Sequence, residues 1–295
     1  MNNVSRSTLF SPESGLTQKS RMSFRVVTFN MQNGQPWRDD DHFPPVVDLD
    51  AAAEFLKGLD ADILCLQEVE QGHDGGLQVD PPPNYTVLKK TLPGYDSVFS
   101  YPLKNDTELP FGLGLAIFSR TKLTGFQKID LPAAELEFEF AGKKRRASPR
   151  LLLEVLTTLD GRRLRILNTH LQAFFMIGDS SNAHTAQRDI VESKLREFGD
   201  APLLLAGDMN SAPDESLVEQ FQSTGFHTVQ NEEITWRRMP FVTDHIFYNP
   251  PLRLVSHRVE KTTVSDHHAV VSDIEFVLIS APQFGAIRLC DYASL

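Results

Sequence analysis

Asp208 and Asn210 close the stretch Leu203-Leu204-Leu205-Ala206-Gly207-Asp208-Met209-Asn210. Its apolar part is short and lies between Pro202 and Gly207, which predicts a buried strand rather than a helix. Side chains two apart on extended backbone point the same way. The strand end therefore offers an acceptor-only carboxylate beside an amide that can donate and accept. Taken alone, such a tetrapeptide also suits an ordinary Asx-rich turn. Four other strand ends finish in polar residues: Asn30, Gln67-Glu68, Asn168-Thr169-His170, and the pair of Asp244 with Ser265-Asp266-His267. Polar groups that repeatedly follow apolar runs build a core poorly and line a pocket well. Carboxylate and amide oxygens are hard ligands that suit Mg²⁺ or Mn²⁺, whereas Zn²⁺ prefers Cys and His. A neighbouring His that takes a proton from water completes the needs of metal-assisted phosphoester hydrolysis.

The elements that must position these groups are legible in outline. Phe24 to Asn30 is β-branched and aromatic and predicts a strand, as does Ile63 to Leu66. A helix is expected over 50–59 and a long surface loop over 71–84. Further strands are expected at Tyr95 to Tyr101, Leu113 to Ser119 and Leu136 to Phe140. The turn Asp160-Gly161 joins two strands, Arg150 to Thr158 and Arg163 to Asn168, as a hairpin. Apolar spacing predicts a helix over Ala183 to Phe198 and a short one over Pro213 to Phe221. Phe241 to Tyr248, Leu252 to His257 and Ala269 to Val277 complete the strands.

The chain has 295 residues with a soluble globular composition, and no stretch approaches the roughly 20 apolar residues of a membrane helix. Residues 1–22 show no secretory signal and read as a disordered leader, residues 23–280 as one domain, and 281–295 as a tail. Two cysteines make no disulfide framework, which with the missing signal leads us to expect a cytoplasmic protein. The formal net charge of −10 argues against a non-specific nucleic-acid coat, but not against a phosphate substrate held through a metal ion.

The chain resembles the endonuclease/exonuclease/phosphatase superfamily, whose members include DNase I-like and abasic-site nucleases, sphingomyelinases, inositol-phosphate phosphatases and tyrosyl-DNA phosphodiesterases. The resemblance rests on Thr28-Phe29-Asn30, Leu66-Gln67-Glu68, Gly114 to Arg120, Asn168-Thr169-His170, Gly207 to Asn210, Thr243 to Phe247 and Ser265-Asp266-His267, in the family's order. It implies an α+β, four-layer αββα sandwich with these loops at one edge. It also implies that Asn30, Glu68 and Asp266 hold Mg²⁺ or Mn²⁺, and that Asp208 and Asn210 position the attacking water and the phosphate. His267 would be the general base or a phosphate-facing proton carrier, oriented by Asp244. His170 would stabilise charge growing on the phosphate. Gly114 stands near where several family nucleases place a glutamate paired to the histidine matching His170, and Ser211 replaces the inositol phosphatases' arginine.

Other residues divide between structural and functional readings. His267 and His268 face opposite sides if extended; His268 reads as structural or exposed, His245 as structural, and His42, His73, His184, His227 and His257 as surface residues. Lys143 to Arg146 is a solvated hairpin face, or else Arg145 and Arg146 touch a phosphate. Phe174-Phe175-Met176-Ile177 either packs under its loop or forms an apolar rim, with Phe174 and Phe175 stacking a base or meeting lipid. Asp179 lies beside that loop and the next basic residue is Arg188, which favours a nucleic acid or soluble phosphodiester over a membrane lipid. The expected activity is thus hydrolysis of a phosphodiester by in-line water attack. The alternatives are a lipid or inositol phosphoesterase and a non-catalytic binding module on the same fold.

Overall fold

The structure is a computed structural model that describes residues 23–39, 46–107, 111–197 and 199–277. The leader, the tail with Cys290, His42 and Phe198 lie outside the described residues. In chain order the elements are β1 (Ser23–Asn30), α1 (Leu49–Gly58), β2 (Ile63–Gln67), β3 (Glu70–Gln71), α2 (Pro83–Thr91), β4 (Asp96–Ser100), β5 (Gly112–Leu113), β6 (Leu115–Ser119), β7 (Thr124–Leu131), β8 (Glu137–Phe140) and β9 (Lys143–Arg146). They continue with β10 (Arg150–Leu159), β11 (Arg162–His170), α3 (Ala186–Glu197), β12 (Leu203–Asp208), α4 (Leu217–Gln222), β13 (His227–Thr228), β14 (Asp244–Tyr248), β15 (Leu252–Glu260) and β16 (Ala269–Phe276).

Two six-stranded sheets form, ordered β15-β16-β1-β2-β6-β4 and β13-β14-β12-β11-β10-β7. Each has a parallel pair at its centre, β1 with β2 and β11 with β12, and is otherwise antiparallel. Strands buried on both faces read as unbroken apolar runs, and their alternation assigns the layers. Val26, Ile63, Leu153, Ile166, Leu204 and Ala206 meet between the sheets. Val27, Leu64 and Leu66 turn outward to Ala52 and Leu56 of α1 and Leu88 of α2. Leu167, Leu203 and Leu205 turn outward to Val191 and Leu195 of α3 and Phe221 of α4. The result is the expected αββα sandwich.

The short strands β3 and β13 and two longer elements, α2 and β7, escaped the sequence reading. α2 begins inside the stretch read as loop, because Pro83 suits a first helical turn. Its N-terminal amides are capped from afar: the Glu70 carboxylate accepts from Asn84 N at 3.3 Å and Tyr85 N at 2.8 Å. β7 is an edge strand exposed along most of its length, so no alternation marks it.

The sheets are pinned together through the dry interior. Gln67 Nε2 donates to Asn168 Oδ1 at 2.8 Å, and Asn168 Nδ2 donates to the carbonyls of Leu66 and Ala116 at 3.1 and 3.0 Å. Thr169 Oγ1 donates to Leu151 O at 3.0 Å. Gln67 and Asn168 therefore do not line the pocket; they satisfy each other and the backbone between the sheets, while Thr169 bonds the neighbouring strand of its own sheet.

Gly207 bounds the apolar run in sequence but does not end the strand. It lies inside β12 opposite Thr169 with φ +152°, and a Cβ there would stand 2.1 Å from Thr169 O. Gly207→Ala is expected to cost at least about 2 kcal/mol of unfolding free energy, measurable by urea denaturation, because strain and overpacking add.

Candidate active site

β1, β2, β11, β12 and β14 deliver their last or first residues to one edge, where Asp208 is the hub. Asn30 Nδ2 donates to Glu68 Oε1 and to Asp208 Oδ2, both at 3.0 Å, so one amide bridges carboxylates from the two sheets. Asn30 Oδ1 accepts from Gln32 N at 3.1 Å. Glu68 takes the left-handed conformation (φ 49°) just past β2, and Gly112 N donates to its Oε2 at 3.1 Å. That approach needs a glycine, since a Cβ on Gly112 would lie 2.4 Å from Glu68 Cβ.

Both histidines aim at the same oxygen. His170 Nε2 is 3.5 Å from Asp208 Oδ2 and 3.8 Å from Glu68 Oε1, and His267 Nε2 is 3.8 Å from Asp208 Oδ2. These gaps are too long for hydrogen bonds and suit a bridging water or substrate oxygen. His267 Nδ1 is 2.8 Å from Asp244 Oδ2, which also accepts from Thr243 Oγ1 at 3.0 Å. Asn210 N donates to Asp208 Oδ1 at 3.0 Å, and its side chain is anchored by Nδ2 to Leu171 O at 3.0 Å.

Burial and charge set the proton states. Asp208 is pushed up to about 7, first by burial and then by the charge of Asp244. Glu68 is raised by burial and by Asp266. His170 is held well below its ordinary value by burial and by the positive charges of Arg150 and His267, so it is neutral. Burial opposes charge on His267, but Asp244 and Asp208 outweigh it and lift the ring to about 10. One imidazole is thus neutral and the other cationic, with a carboxylate near neutrality between them.

The carboxylate and amide oxygens of Glu68, Asp266 and Asn30 are the hard donors that Mg²⁺ and Mn²⁺ take, whereas the two imidazoles are not. The charge of Asp266 raises the proton affinity of Glu68 and that of Asp244 raises Asp208's, a cost that a divalent cation would relieve. One ligand atom each of Asp208, Asp244 and His267 lie within 4.8 Å of one another, and Asp244 Oδ1 is buried with no hydrogen-bond partner. In that trio, however, Asp244 Oδ2 and His267 Nδ1 already bond each other at 2.8 Å. Glu68 keeps 15% of its side chain exposed against 1% for Asp208, so Glu68 opens to an incoming ion. Asp266 is held at Oδ2 by Arg238 Nε at 2.7 Å and Trp236 Nε1 at 3.2 Å.

The remaining sequence candidates separate. Phe174 is not a rim residue: it is buried and stacks on His184, ring centroids 5.0 Å apart, so the satellite-packing reading holds for it. His184 bonds Asp179 and keeps 27% of its side chain exposed at the surface end of this packing. Phe175 is half-buried against Trp236 and Phe241, at 5.7 and 5.2 Å. Arg145 is buried and bonded to Asp74 and to Thr107 O, and Arg146 is exposed and paired with Glu137. His245 is buried and bonded to Val242 O and Thr228, as its structural reading requires.

Sequence reasoning missed Arg150, Trp236 and Arg238. Arg150 opens β10 beside the end of β11, and its charge bears on both Glu68 and His170. Trp236 stands 6.1 Å from the His267 ring and forms an aromatic wall with Phe175. Their available signal was only a cation after Pro149 and a Trp-Arg-Arg run in a loop.

The Endonuclease/Exonuclease/phosphatase family model matches residues 27–267, which spans every site residue above. The chain belongs to this family. Membership makes it a metal-dependent phosphoric ester hydrolase. No curated protein matches the chain. Among solved structures, a family member from Beutenbergia cavernae is similar at 23% identity and TM-score 0.65, over 87% of this chain and 72% of that one. The human Nocturnin catalytic domain with bound sulfate is 21% identical (TM-score 0.60, 87% and 96% covered). D. rerio TDP2 complexed with single-strand DNA product is 19% identical (TM-score 0.57, 86% and 99% covered). These likenesses show the shared fold. The glutamate that several family nucleases pair with their histidine has no room here, because the Phe99 ring comes within 2.7 Å of a Cβ at Gly114. His170 faces Glu68 and Asp208 instead.

Proposed function

We propose that the chain is a Mg²⁺- or Mn²⁺-dependent phosphodiesterase acting on nucleic acid or a nucleotide. The observation that carries this reading is the convergence of Asn30, His170 and His267 on Asp208 Oδ2. Glu68, with Asn30 and Asp266, would hold the ion; when bound it supplies charge to the phosphate and leaving oxygens. Asp208, matched to neutral pH, takes the proton of the attacking water, and Asn210 fixes its orientation. The cationic His267 faces the phosphate and carries a proton, while Asp244 fixes its tautomer. His170 stays neutral and donates to a phosphate oxygen, and Arg150 adds charge at the same edge.

The aromatic wall of Trp236 and Phe175 and the nearby Arg238 support a nucleotide over a lipid headgroup. The neighbour named as a single-strand DNA complex agrees with this reading. Met176 is exposed on the 174–177 loop, yet Asp179 flanks it where a lipid-facing loop would carry cations. Among the described residues no helix is long and apolar enough to cross a membrane. A non-catalytic module would have no use for a cationic His held by a buried carboxylate. Cleavage of bis(p-nitrophenyl) phosphate should vanish in EDTA and return with Mg²⁺ or Mn²⁺. Full activity in EDTA would overturn the metal assignment.

A further inference from the structure

We propose that a cleft beside the active site binds a second phosphate group of the substrate, a reading that rests on the phosphodiesterase assignment. The cleft, of about 510 Å³, is lined by Trp37, Arg237, Lys261 and His268, with Asp39 and Glu233. It shares a wall with the active site. His267 turns to Asp244 and Asp208, and His268, the next residue, turns to the cleft. Arg237 N donates to Asp266 O at 2.9 Å, so its side chain starts one residue from Arg238, which holds the Asp266 carboxylate.

The lining is rich in donors that nothing occupies. Among the described residues neither Arg237 nor Lys261 forms an ion pair, and Arg237 Nε is buried with no hydrogen-bond partner. The Arg237 guanidinium lies over the Trp37 ring, 5.9 Å from its centroid. His268 Nδ1 accepts from Thr262 N at 3.2 Å, which leaves the proton on Nε2. Of the two carboxylates, Asp39 already accepts the Trp37 indole N–H at 2.9 Å, and Glu233 is exposed at the rim. A guanidinium, an ammonium and an imidazole N–H around one space match a phosphate's several acceptor oxygens. A substrate with one phosphate fills only the catalytic edge. One with a neighbouring phosphate also reaches the cleft.

The test compares Arg237→Ala, Lys261→Ala, their double variant and Arg237→Lys on bis(p-nitrophenyl) phosphate, a short single-stranded oligonucleotide and glycerophosphoinositol 4-phosphate, a small diester that carries a second phosphate. The double variant should raise KM for a multi-phosphate substrate by about tenfold or more, the scale of losing charge-assisted contacts. Its kcat, and all parameters on bis(p-nitrophenyl) phosphate, should hold. Arg237→Lys should recover much of the KM. For the oligonucleotide, binding in EDTA read by anisotropy should lose about 0.7 from its log–log salt slope, one single-strand phosphate contact. An effect on the oligonucleotide identifies a strand as the source of the phosphate, and an effect on glycerophosphoinositol 4-phosphate alone a small molecule. Equal losses on all three substrates, or no change on any, would overturn the proposal. Failure of the phosphodiesterase reading looks different: the wild type would turn over none of them, while anisotropy would still report the cleft.

Discussion

Asp208→Asn should lower kcat on a phosphodiester by roughly 10³-fold, within the range for losing a general base, and should make the metal-free protein more heat-stable at pH 8. The two effects share a cause. Asp208 is a buried carboxylate pushed up to about 7, so the folded state prefers it protonated. An unfolded Asp titrates near 3.9. Stability from the protonated form is complete below that value and is lost as pH rises through about 7. Asn mimics the protonated form at every pH. The Tm gap between Asp208→Asn and wild type in EDTA should therefore be near zero at pH 4 and widen by pH 8. Each kcal/mol of relief is worth roughly 2–4 °C in a chain of this size. A variant that lost activity but melted lower at pH 8 would show that Asp208 serves as a structural ion-pair partner.

His267→Ala should lower kcat by at least about 10²-fold. Asp244→Asn should act through the same proton, because Asp244 Oδ2 sits 2.8 Å from His267 Nδ1. The double variant should cost far less than the sum of the two single losses. Additive losses would separate Asp244 from His267. His268→Ala should leave kcat on a single-phosphate substrate intact, since its ring faces the neighbouring cleft.

The sandwich was legible because its central strands are apolar on both faces and each ends in a polar residue. The core of the site was legible for the same reason: a strand that ends in Glu68 or Asp208 must place a carboxylate at the sheet edge. Three features were not. The cap of α2 comes from Glu70, far enough back that no local signal marks it. Arg150, Trp236 and Arg238 reach the site through tertiary packing, with no spacing rule linking them to Asp208. The motif residues Gln67, Asn168 and Thr169 look like pocket groups in sequence, but Gln67 and Asn168 find their partners between the sheets and Thr169 finds its own on the adjacent strand. Polar side chains at a strand end can point either way, and only the register tells which.

The Gln67–Asn168 pin has a consequence for how activity and folding part company. Glu68 stands on one sheet and Asp208 on the other, so the reacting geometry depends on their registration. Apolar side chains between sheets resist separation but tolerate sideways shear. The amide pair and its bonds to the Leu66 and Ala116 carbonyls oppose that shear directly, one strand step from the catalytic groups. A misplacement of about 1 Å can cost about 10²-fold in rate while barely changing the area buried. Turnover is therefore a finer gauge of sheet alignment than any spectroscopic measure of the fold, and on heating it should fail first.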